Sequence, residues 1–197
     1  MKAEVFGSHA GVNKSFGSLR MAAALLLFFC NGLGAAGDSR VLLNADSFRA
    51  GSGGMPEGWS TAARLEAFPP EFSIADLPSL GGPGSLCIRG AAQAAANGCW
   101  QTELKGIDPQ GWYEFEAWFT VRGVPWTQRQ AMARLYWLDA QGGRAAMPEY
   151  VPESGGEGDW KRVHATYRPP EKAVSVRVEL CLSHCPQGEI FWDRISL

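Results

Sequence analysis

From Val41 onward the chain alternates apolar and polar residues in short runs, each closed by Pro, Gly or Ser. The clearest is Trp112-Tyr113-Glu114-Phe115-Glu116-Ala117-Trp118-Phe119-Thr120-Val121. Residues 131–138, 160–167, 174–182 and 190–197 follow the same rule, and residues 85–89 and 99–104 are shorter versions of it. A period of two places successive side chains on opposite faces, so these runs predict half-buried antiparallel strands. Turn signals separate them, among them Gln110-Gly111, Asp139-Ala140-Gln141-Gly142-Gly143 and Pro169-Pro170. Strands at this close spacing imply an all-β, two-sheet antiparallel sandwich. Residues 68–84, which include Pro69, Pro70, Pro78 and Pro83, predict no regular element. The alanine-rich residues 91–96 read as a loop, fenced by Gly90 and Gly98, and no segment carries a helix-length period.

The N-terminal segment has a different pattern. Lys2, Lys14 and Arg20 precede an uncharged apolar run, Met21 to Cys30, and Gly34-Ala35-Ala36-Gly37 follow. A basic stretch, an apolar core and a small-residue exit predict a secretory signal peptide over residues 1–36. A β domain over 37–197 then follows in a secreted or periplasmic protein. The apolar core is about half the length of a bilayer span, and no later stretch is long enough for one. Residues 1–36 hold three of the 18 basic and one of the 20 acidic residues, leaving 15 basic against 19 acidic, a net charge of −4. With no run of like sign, that balance argues against a nucleic-acid partner.

Four cysteines remain after the leader: Cys87, Cys99, Cys181 and Cys185. An even number in an exported domain predicts two disulfides. Three pairings are possible, and the spacing favours Cys87–Cys99 with Cys181–Cys185. Cys181, His184 and Cys185 are also close enough in sequence to form part of a zinc site.

No catalytic motif stands out, and we expect no catalytic residue within these 197 positions. Glu114 and Glu116 share one strand face and read as a solvated polar face. The aromatics say more. If Phe115, Ala117 and Phe119 face the core with Ala133, Leu135 and Trp137, then Glu116, Trp118, Arg134 and Tyr136 occupy the opposite face. A pyranose packs its C–H face on an aromatic ring and directs hydroxyls at carboxylate and guanidinium, so these four form the expected ligand surface. Trp126, in the Val124-Pro125-Trp126 loop, is a second candidate at the rim. Trp59 and Trp160 read as turn anchors in the core.

The last forty residues carry a likeness. Gly158-Asp159-Trp160-Lys161-Arg162-Val163, then Ser175-Val176-Arg177-Val178-Glu179-Leu180, then Trp192-Asp193-Arg194-Ile195-Ser196-Leu197 resemble the C-terminal half of galactose-binding-like jelly rolls. Within that group they are most similar to the carbohydrate-binding modules appended to cellulases and xylanases. Val41-Leu42-Leu43-Asn44 and Pro56-Glu57-Gly58-Trp59 stand where those modules open. The resemblance implies a jelly-roll sandwich and a non-catalytic role, binding polysaccharide or oligosaccharide. A chain reaching Leu197 at the end of the closing strand resembles the N-terminal module of a larger hydrolase. The alternative is a structural or adhesive sandwich with a protein partner. Such modules commonly hold a structural calcium, one ligand of which Asp193 matches. At the acidic position of the opening strand stands Arg49, so the expectation is an Arg49–Asp193 pair in place of calcium, and no cofactor.

Overall fold

The computed structural model describes residues 39–51 and 54–197, so the signal-peptide segment 1–36 lies outside the described residues. Twelve strands form in chain order: β1 (Asn44–Ala45), β2 (Ser60–Ala63), β3 (Glu71–Ala75), β4 (Ser85–Arg89), β5 (Asn97–Lys105) and β6 (Tyr113–Arg122). A single helical turn, α1 (Thr127–Gln130), leads into β7 (Ala131–Leu138). Then come β8 (Glu149–Tyr150), β9 (Glu153–Glu157), β10 (Trp160–Tyr167), β11 (Ser175–Ser183) and β12 (Glu189–Ser196). Among the described residues no helix is long and apolar enough to cross a membrane.

The strands build two antiparallel sheets. One has seven strands in the order β3-β4-β12-β6-β10-β9, with β1 also paired to β12; the other has five in the order β2-β5-β11-β7-β8. The expected sandwich is therefore present, and its core is the inward side of the alternating runs. Phe115, Ala117 and Phe119 from β6 meet Ala133, Leu135 and Trp137 from β7, and all six are at most 2% exposed. Val176, Val178, Leu180 and Leu182 of β11 join them, as do Ile190, Trp192 and Ile195 of β12. Trp59 is buried against Phe48, edge-on with ring centres 6.0 Å apart, as a turn anchor should be. Trp160 is only half-buried.

One segment departs from the sequence expectation. Residues 68–84 contain β3, which pairs with β4 from Glu71↔Arg89 to Ala75↔Ser85. The prolines flank this run without interrupting it, and an edge strand has a partner on one side only, which is where nearby proline is tolerated. Residues 91–96 form turns as expected, with Ala91 and Ala92 at positive φ.

Candidate functional site

Alternation along a strand decides which face a side chain takes, but not which sheet the strand joins. β6 lies in the seven-stranded sheet and β7 in the five-stranded one. Glu116 and Trp118 therefore leave one outer side of the sandwich, while Arg134 and Tyr136 leave the other. The single four-residue ligand surface expected from the sequence is not formed.

On the seven-stranded side the polar groups are taken up by each other. The indole Nε1 of half-buried Trp118 donates to Glu116 Oε1 at 2.7 Å, and Arg162 Nε lies 2.9 Å from Glu116 Oε2. Glu114 Oε1 is 2.7 Å from His164 Nε2. Asp193 is fully buried nearby. The amides of Leu80 (2.6 Å) and Arg194 (2.8 Å) and the Ser79 hydroxyl (3.1 Å) donate to its carboxylate. Arg49 is exposed and forms no ion pair with Asp193, so the expected pairing is replaced by donors from the segment after β3. These donors do not fit a bound calcium, which needs oxygen lone pairs around it. Trp126 is 68% exposed and heads α1 at the rim, beside a hollow of about 510 Å³ lined by residues 125–129.

The five-stranded side is organised differently. β11 runs between β5 and β7, in register at Glu179↔Gln101 and Glu179↔Arg134. One pair along, Arg177 faces Tyr136, and Arg134 faces Tyr150 of β8. Arg134 Nη2 donates to Glu179 Oε2 at 2.7 Å, both side chains at or below 10% exposure, so the pair is nearly dry. Arg144, Arg177 and Arg134 surround the Tyr136 ring at 4.7, 5.2 and 5.6 Å from its centre. Burial, then the Glu179 carboxylate, push the Tyr136 phenol above its ordinary pKa, so it is neutral at physiological pH. Arg134, Tyr136 and Glu179 floor a depression of about 150 Å³, walled by residues 62–64, Asn97, Gly98 and Arg144.

Tyr136 is only 3% exposed, and guanidinium groups already lie against its ring, so it cannot be the free stacking platform expected of it. The exposed aromatic on this face is Tyr150, 58% exposed and in register with Arg134. Sequence reasoning missed Tyr150, Glu179, Arg177 and Arg144. Arg177 and Glu179 did show as the polar positions of an alternating run. Their approach to β7 depends on a register between segments some forty residues apart, which no local pattern encodes.

The expected disulfides are absent among the described residues, where Cys87, Cys99, Cys181 and Cys185 are all free and buried. Cys87 alternates with the core residues Leu86 and Ile88 in the seven-stranded sheet, and Cys99 adjoins the core residue Trp100 in the five-stranded one. The two thiols therefore turn to opposite outer sides of the sandwich and cannot meet. The Cys181 thiol contacts Arg134 Nη2 at 3.2 Å on the outer face, while Cys185 Sγ turns to the Gly123 carbonyl at 3.6 Å. The same divergence removes the Cys181–His184–Cys185 zinc alternative. Cys181 instead stands directly opposite Cys99. Contact with Cys99, together with burial, holds the Cys181 thiol well above its ordinary pKa. Cys99, Glu179 and Cys181 place ligand atoms within 4.8 Å of one another. The Arg134 guanidinium lies against both Glu179 and Cys181, however, and it supplies the positive charge that a metal would bring.

Among solved structures, the chain shares its two-sheet β-sandwich fold with several carbohydrate-binding modules. It is similar to the C-terminal family 22 carbohydrate-binding module of Clostridium thermocellum Xyn10B, with a TM-score of 0.53, 15% identity, and 79% of this chain and 91% of that one covered. It is also similar to the N-terminal CBM22-1–GH10 modules of the same organism's endo-1,4-beta-D-xylanase 10B, complexed with xylohexaose. There the TM-score is 0.53 at 14% identity, covering 80% of this chain and 28% of that one. The enzymatically active domain of bacteriophage CBA120 tailspike protein 4 matches at a TM-score of 0.56 and 12% identity, covering 71% of this chain and 19% of that one. No family model matches the chain, and no curated protein matches it by sequence.

Proposed function

We propose that this chain is a non-catalytic carbohydrate-binding module of an exported protein, taking a poly- or oligosaccharide in the depression on the five-stranded sheet. One observation carries the reading: an exposed ring, Tyr150, stands in register with Arg134, which together with Glu179 and Arg144 lines the depression with directional polar groups on a rigid sheet. A sugar ring needs an apolar surface for its C–H face and fixed donors and acceptors for its hydroxyls, and this face supplies both. The solved complex of a similarly folded module-bearing xylanase with xylohexaose supports a saccharide ligand. It also supports a fused or partner hydrolase as the setting in which such a module works. No metal takes part in the proposed binding.

The test is affinity electrophoresis of residues 37–197 against a panel of soluble polysaccharides, comparing wild type with Tyr150→Ala, Trp118→Ala and Trp126→Ala. Tyr150 is exposed, so its truncation should leave the fold intact while removing more than about 1 kcal/mol of binding energy. The other two variants should bind as wild type does. Retardation lost with Trp118→Ala or Trp126→Ala, and kept with Tyr150→Ala, would move the site to the opposite face or to the rim.

A further inference from the structure

We infer that the saccharide taken by this depression is an anionic one, its carboxylate or sulfate group docking among the arginines; this rests on the carbohydrate-binding reading above. The charge on the face is unbalanced. Arg64, Arg134 and Arg144 line the depression, with Glu179 the sole carboxylate there among the described residues, and Arg177 lies against the Tyr136 ring beside them. Glu179 is already shared, 2.7 Å from Arg134 and 3.2 Å from Arg177. Arg64 and Arg144 have no ion-pair partner among the described residues. Glu103, across from Arg177 in the register, accepts instead from the Ser175 hydroxyl at 3.1 Å. The surplus is local, because the whole chain carries a net charge of −2.

Unused donors point the same way. Arg64 and Arg144 are exposed where they line the depression, whereas the Nε–H groups of Arg134 and Arg177, also without hydrogen-bond partners, are closed to solvent and add only positive charge beneath it. A guanidinium presents paired donors in a plane, a geometry that a carboxylate meets with two parallel hydrogen bonds. A neutral hydroxyl meets it with one bond and no charge. The arrangement thus selects for an acid group on the sugar, while Tyr150 can hold the ring of any pyranose.

The test uses isothermal titration of polygalacturonate against its fully methyl-esterified form, which keeps the backbone and masks the charge, and of dextran sulfate against dextran. We expect at least one charged member of these pairs to bind roughly tenfold or more tightly than its neutral partner. The preference should vanish in 1 M salt, where screening acts within about 3 Å. It should also vanish in Arg144→Gln while surviving in Arg129→Gln, a charge-matched control on the rim turn. Whichever pair shows the preference identifies the acid group as carboxylate or sulfate. Equal affinity within both pairs overturns the anionic inference and leaves carbohydrate binding standing. So does a preference that Arg144→Gln leaves intact. Failure of folded protein, checked by circular dichroism, to bind any polysaccharide of the wider panel overturns both readings.

Discussion

Arg134 and Glu179 show how much depends on one contact in this sandwich. Each alone would be a charge in a nearly water-free place, and neither is tolerable without the other. Glu179→Ala strands the guanidinium against the Cys181 thiol and the Tyr136 ring. We expect it to cost about 3–5 kcal/mol in urea unfolding, with most of that recovered when Arg134→Met is added. A double variant no more stable than the single one would mean that Glu179 acts through packing and not through charge. The pair therefore serves as scaffold and as floor of the proposed site at once, and binding is better probed at exposed Tyr150 and Arg144.

At the scale of the strand, neighbouring residues of β6 have opposite fates. Phe119 is 2% exposed and packs on Trp192 with ring centres 5.0 Å apart, while Trp118 lies half-buried on the outer face. Phe119→Ala should cost about 3–5 kcal/mol through the cavity it leaves, and Trp118→Ala clearly less, both read from denaturant midpoints. Similar losses would show the seven-stranded outer face to be a second core. This in/out division was legible in the sequence because period two is a local property, and β6, β7 and β11 all follow it; β12 does so only as far as the bulge at Asp193–Arg194, past which Ile195 takes the inward position. Sheet membership was not legible. β6 and β7 are consecutive and alternate in the same way, yet one pairs with β12 and β10 and the other with β11 and β8. The ligand surface read from their alternation came apart for that reason. Tyr150 escaped notice because β8 is two residues long, too short to carry a period, and Arg144 because it follows a glycine turn and belongs to no long run.

The whole molecule's response to alkali follows from its buried phenols. Burial, and then the Glu149 carboxylate, push Tyr167 up to about 12, and its hydroxyl is among the buried groups without a partner. The folded state thus holds the proton more tightly than the unfolded chain does, where tyrosine titrates near pH 10. The stability tied to the neutral phenol is complete below pH 10 and is lost as the pH climbs toward 12. Thermal melts at pH 9 and pH 11.5 should show a smaller loss in Tyr167→Phe than in wild type, and identical losses would exclude Tyr167 as a source.

The way the domain is closed has a mechanical consequence. β1 pairs antiparallel with β12 at Asn44↔Ser196 and Ala45↔Ile195, and the amides of Leu42 and Leu43 both donate to the Leu197 carbonyl. Entry and exit of the fold thus lie side by side at the end of β12, a strand inside the seven-stranded sheet, on the stretch that β4 leaves unpaired. Tension applied between them would open this short ladder one rung at a time, as a zipper parts, instead of shearing all rungs together. Such a two-rung ladder yields early under pull while the five-stranded sheet, which forms the proposed binding face, stays folded behind it.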